Sequence, residues 1–189
     1  MKPFFVYSHL GANIDFWNNL LSSHRRIMSI YDGKSKNMYM NGDLTERIPE
    51  PKKWFFSKAK WFDILLHNKQ VGYKSFYSDY PSVIIFSFQS GVLDKIKEDN
   101  LYEKKYADNY LHLRYERLLY ICKNSIKPLV FVEGLSSVEH LQNKICDFLS
   151  LKNECVEVKD VFIKNNFEEN EFFKRLLLLN ESGKISLAI

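Results

Sequence analysis

Residues 3–24 read PFFVYSHLGANIDFWNNLLSSH, and the change of pattern inside this stretch decides the fold. Phe4 to Tyr7 is a short apolar run, aromatic and β-branched with no polar alternation, which predicts a strand buried on both faces. Ser8 to Asn13 is a short polar turn. From Ile14 the apolar residues take helical spacing, with Ile14, Trp17 and Leu21 on one stripe and Phe16 and Leu20 beside it. A strand, a tight loop and a helix in that order is how α/β proteins build phosphate sites, because the unpaired N–H groups of the helix start point back at the loop.

The same pattern returns further along. Residues 81–88 (PSVIIFSF) and 128–133 (PLVFVE) are buried strands by the same argument, with a helix expected over Gly91 to Lys97 after the first. Tyr106 to Lys123 reads as the strongest helix, with Leu111, Tyr115, Leu118, Leu119 and Cys122 on one stripe. After Gly134-Leu135 a helix aligns Val138, Leu141, Ile145 and Phe148, and Ser136 with Glu139 makes a capping box. Ile27 to Tyr31 fits a short extended piece, residues 32–53 a long surface loop, and Ser57 the cap of a helix carrying Trp61, Ile64, Leu65 and Leu66. A last helix is expected over Glu169 to Asn180, with Leu176 to Leu179 packing on the body. Apolar strands alternating with helices predict an α/β fold with a central parallel sheet.

Composition narrows the function classes. At 189 residues the chain fits one domain, and 46% hydrophobic with 15% aromatic residues is a globular composition. A net charge of +4 is too mild to argue for nucleic acid as a partner. No run reaches the roughly 18 to 20 apolar residues of a membrane span, and no signal peptide is expected ahead of the first strand. Cys122, Cys146 and Cys155 cannot all pair and form no C-x-x-C, so reduced buried thiols and a cytoplasmic location are expected.

Two blocks resemble one family. Pro128 to Leu151, PLVFVEGLSSVEHLQNKICDFLSL, resembles the closing strand and helix of the P-loop-fold sulfotransferases. Val132-Glu133-Gly134-Leu135 stands where that family has Tyr-Glu-Asp-Leu, and Ile145 to Ser150 where it has Ile-Cys-x-Phe-Leu-Gly. Leu20-Leu21-Ser22-Ser23-His24-Arg25 is similar to the end of the family's first helix, Leu-Leu-x-Ser-His-Pro. Val71-Gly72-Tyr73-Lys74-Ser75 is similar to its Gly-x-Lys-Ser/Thr segment, and Val83 to Phe88 to the strand before its second phosphate motif. The resemblance implies a three-layer P-loop NTPase-like fold over residues 1–189. It also implies transfer of a sulfuryl group from 3′-phosphoadenosine 5′-phosphosulfate to a hydroxyl or amine, on a small-molecule or glycan acceptor.

By that resemblance Gly11, Ala12, Asn13, Ile14 and Asp15 take the place of the donor-phosphate loop, where the family offers a Lys or Arg and then Ser-Gly-Thr-Thr. The cation and the hydroxyls are gone, and Asp15 would repel an anion while suiting the dipole of an empty helix start. In the second motif the family's phosphate-binding Arg and Ser fall near Phe88 and Ile96. Two functions therefore stand side by side: a sulfotransferase, or a non-catalytic binding protein that kept the fold and lost the donor site. A kinase is disfavoured because the Gly-Lys-Ser/Thr cradle is missing.

Individual residues carry two readings each. His9, at the end of the first strand, fits a catalytic base or phosphate ligand, or a loop histidine bonded to backbone. Asn13 fits a helix cap or a ligand contact. Lys74 fits an anion-binding or catalytic cation near the sheet's carboxyl edge, or a solvated lysine. Arg25 and Arg26 complement the C-terminal dipole of the first helix, and Glu133 is structural. Lys52, Lys53, Lys58 and Lys60 among Trp54, Phe55, Phe56 and Trp61 fit a basic aromatic surface for glycans or single-stranded nucleic acid, or a helix or loop with an apolar inner face and a lysine-rich outer one. The histidines and cysteines lack metal-ligand spacing, so no metal is expected.

Overall fold

The computed structural model describes residues 2–9, 12–29, 54–58, 81–94, 107–159 and 167–189. Six strands, β1 (Lys2–Tyr7), β2 (Ile27–Ser29), β3 (Trp54–Lys58), β4 (Ser82–Phe86), β5 (Leu129–Val132) and β6 (Ser186–Ala188), form one sheet in the order β2-β3-β1-β4-β5-β6. Every pairing is parallel, as expected for the strands near 4, 83 and 128. Among the described residues four helices accompany it: α1 (Ile14–Ser22), α2 (Ala107–Asn124), α3 (Val138–Phe148) and α4 (Glu171–Glu181).

The sheet is covered on both sides because its strands are apolar on both sides. Val83, Ile85, Leu129 and Phe131 face α1 and α3, meeting Phe16, Trp17, Leu20, Leu141 and Ile145. Ile84, Phe86, Val130 and Val132 face α2 and α4, meeting Leu111, Tyr115, Leu118, Phe172 and Leu176. The connection after β1 runs one way along the sheet and the connection after β4 runs the other. Connections of one hand that travel in opposite directions must place their helices on opposite faces. The reversal falls between β1 and β4, the switch point at whose carboxyl ends open α/β sheets form the crevice that binds ligands.

Several expectations are corrected. Ser57 does not cap a helix; it lies inside β3, where the aromatic run Trp54-Phe55-Phe56 extends between β2 and β1. The cap of α3 is Ser137, whose extended backbone precedes the first helical residue and whose side chain accepts from His140 N; Ser136 stands one residue too early and donates to Ala188 O. α4 begins at Glu171, not Glu169, because Asn170 caps it through Phe173 N. Of the Leu176 to Leu179 run, Leu176 is fully buried while Leu178 faces outward. β6 was not anticipated. The 32–53 loop, the Trp61 to Leu66 segment, Lys74 and Lys95 to Lys97 lie outside the described residues.

Candidate functional site

The crevice is built by the residues that follow three strands. Beyond β1 stand Ser8 and His9, beyond β4 Ser87 and Phe88, and beyond β5 Glu133, with the start of α1 between them. Asn13 caps α1: its side-chain oxygen accepts from Phe16 N at 3.3 Å, and its carbonyl from Trp17 N at 3.1 Å.

Glu133, 2% exposed, reaches this helix start from β5. Its Oε1 accepts from Asn13 N at 2.7 Å and from the Trp17 indole nitrogen at 2.6 Å. Trp17 in turn stacks on Phe131, ring centres 5.0 Å apart, so the indole is held flat against β5. A carboxylate beside the start of a helix complements its dipole and makes charge-assisted bonds there. Ala12 N donates to His9 O at 3.3 Å. The amides of Ala12, Asn13 and Phe16 are therefore all committed within the chain.

His9 is buried, and its Nε2 accepts from Ser87 N at 3.0 Å, so this ring nitrogen carries no proton. The imidazole meets Tyr115 of α2 edge-on, 5.0 Å between ring centres. The Tyr115 hydroxyl donates to Ser87 O at 2.6 Å. Burial, and after it the Glu133 charge, push this phenol well above its ordinary pKa, which keeps it a donor. The Ser87 backbone is thus gripped by a ring from β1's end and a phenol from α2. Its hydroxyl is buried with no partner among the described residues. Next to it, Phe167 bridges Gln89 and Glu168 N donates to Phe88 O at 2.8 Å, so the segment before α4 closes over the carboxyl end of β4. Phe88, Phe167 and Phe173 stack edge-to-face there.

Compared with known proteins, the chain matches no family model, no curated protein and no solved structure.

Of the residues singled out from sequence, the structure brings His9, Ala12, Asn13 and Glu133 to the crevice. Ile14 and Asp15 form the first two positions of α1. Gly11 and Lys74 lie outside the described residues. Arg25 and Arg26 fall beyond the last turn of α1; Arg25 pairs with Glu154 at 2.6 Å, and Arg26 N bonds His24 Nδ1. Among the described residues no group of three or more His, Cys, Asp or Glu side chains gathers at metal-binding range. No helix among them is long and apolar enough to cross a membrane.

Three contributors were missed: Trp17, Tyr115 and Ser87. Helical spacing puts the first two on apolar stripes, as core. Their signal was available, since a buried indole N–H or phenol O–H must find an acceptor. Ser87 offered no signal, because a lone serine after a strand is commonplace.

Proposed function

We propose that this chain is a sulfotransferase-like protein of the P-loop NTPase-like fold that works as a binding or interaction protein, not as a transferase. The observation that carries this reading is the state of the α1 start. Of the amides around an anion seated there, those of Ala12, Asn13 and Phe16 are already committed within the chain, and the Glu133 carboxylate beside them would add a like charge. By the resemblance Gly11 stands where the family offers Lys or Arg, so a donor with several negative charges would meet no cation at that position.

The transferase reading draws its support from the architecture. The β1–loop–α1 unit lies at the reversal between β1 and β4, where a bound 3′-phosphoadenosine 5′-phosphosulfate would hand its sulfuryl group to a small-molecule or glycan acceptor. Calorimetric titration with 3′-phosphoadenosine 5′-phosphate separates the two. The binding-protein reading expects no heat and no rise in melting temperature up to millimolar ligand. Micromolar binding would overturn it and restore the transferase. At about a hundredfold excess over Kd such binding would add about 2.7 kcal/mol of stability, an unmistakable melting shift.

A further inference from the structure

A pair of thiols lies on the far side of the molecule's α1–α3 layer, away from the crevice. Cys146, buried near the end of α3, and the half-buried Cys155 hold their sulfurs 3.7 Å apart. The contact follows from the backbone path. α3 ends at Phe148 with Leu149 as its cap, Ser150 turns the chain with a φ of 54°, and Leu151 N returns to Cys146 O at 2.8 Å. The strap that follows is fastened at its other end. Val156 N donates to Ser23 O at 3.1 Å, Gln142 Nε2 donates to Val156 O at 2.8 Å, and Cys155 bridges His24. Both thiols therefore sit on anchored backbone with their sulfurs already facing each other, 3.7 Å apart against the roughly 2.05 Å of a disulfide bond.

We propose that Cys146 and Cys155 are a reversible thiol–disulfide pair, oxidised by exchange with low-molecular-weight disulfides of the glutathione class and closing the strap onto α3. The more accessible Cys155 gives up its proton and attacks one sulfur of the oxidant. The oxidant's S–S bond breaks, and its first half leaves as a thiolate that takes a proton. Cys146 then gives up its proton, attacks the Cys155 sulfur and displaces the second half as another thiol. Two cysteine thiols lose two electrons and two protons, and the oxidant's disulfide gains them. The order follows from the surroundings: burial, and then the neighbouring Cys155, push the Cys146 thiol up to about 12, so it is the poorer first nucleophile. Cys122, buried within α2, has its thiol raised chiefly by burial and is not part of the pair.

The test is to incubate the full chain with oxidised glutathione, alkylate it under denaturing conditions and map the peptides by mass. The expected result is a cross-linked peptide pair 2 Da lighter than the reduced peptides, with Cys122 alkylated. Reduction should reverse the cross-link, and oxidation should raise the melting temperature by roughly 5 °C. In Cys155→Ser, whose side chain is only half-buried, the cross-link and the melting shift should both vanish. Glutathione left on Cys155 with Cys146 still open to alkylation, or both cysteines fully alkylated, would overturn the proposal.

Discussion

Glu133 Oε1 holds two donors that lie 116 and 120 positions earlier in the chain. Removing the side chain would leave the part-buried Asn13 amide and the buried Trp17 indole N–H without this acceptor. Each buried donor left without a partner costs about 1–3 kcal/mol, so Glu133→Ala should destabilise by roughly 3 kcal/mol or more. Glu133→Gln keeps an oxygen where both donors converge and loses only the charge, so it should cost well under that. Urea unfolding measures both, and equal costs would show that shape, not these bonds, is what Glu133 supplies. The presence of a polar residue after β5 was legible in the sequence, and so was its structural role. Its partners were not, because periodicity reports which face a residue takes within its own element and says nothing of what meets that face from 120 residues away.

At the level of elements, caps explain where the helices start better than apolar stripes do. Asn13, Ser137 and Asn170 each accept from the amide three residues on. A stripe can be extended by a residue or two without breaking its pattern, which is why Ser136 and Glu169 looked equally good as starts. α2 and α4, side by side on one face, are also joined by charge: the Arg175 guanidinium grips both oxygens of Glu116, the second at 2.9 Å. The hydrogen bond from Arg175 is the main reason the Glu116 carboxyl lies below its ordinary value. A carboxylate lowered in the folded state binds its proton more weakly there than when unfolded. Its contribution is complete above the ordinary value of 4.5 and is lost as pH falls through the lowered one. Both side chains are more than a third open to solvent or close to it, so screening keeps the effect within about 1 kcal/mol. Glu116→Gln should therefore lower the melting temperature slightly at pH 7. Wild type and variant should converge on acidification below pH 4.5, and a gap that persists in acid would argue against the ion pair.

Over the whole molecule, the three apolar runs long enough to declare themselves gave β1, β4 and β5, the centre of the sheet, while β3 and β6 at the flanks escaped notice. Trp54 to Lys58 mixes aromatics with lysine and looks like one face of a helix until parallel neighbours on both sides claim it. Ser186 to Ala188 is three residues long, too short for any period to show. Yet β6 closes the sheet beside β5. Ile185, Leu187 and Ala188 are buried, Ser186 N bonds Pro128 O, and Asn180 at the end of α4 accepts from Leu187 N. Burying one such Leu or Ile side chain contributes about 1.5–3 kcal/mol, so residues 184–189 should add several kcal/mol. Their removal would also bare the edge of β5, where Val130 and Phe131 would lose their neighbours, and an open apolar edge recruits other chains. A chain ending at Gly183 should melt well below the full one and aggregate in size-exclusion chromatography. Leu187→Asp keeps the backbone pairing and removes only the apolar contact, so it should lower the melting temperature while leaving the protein monodisperse. If the shortened chain stayed as stable and as well dispersed as the full one, β6 would be an ornament, and the sheet would have to hold together on its first five strands.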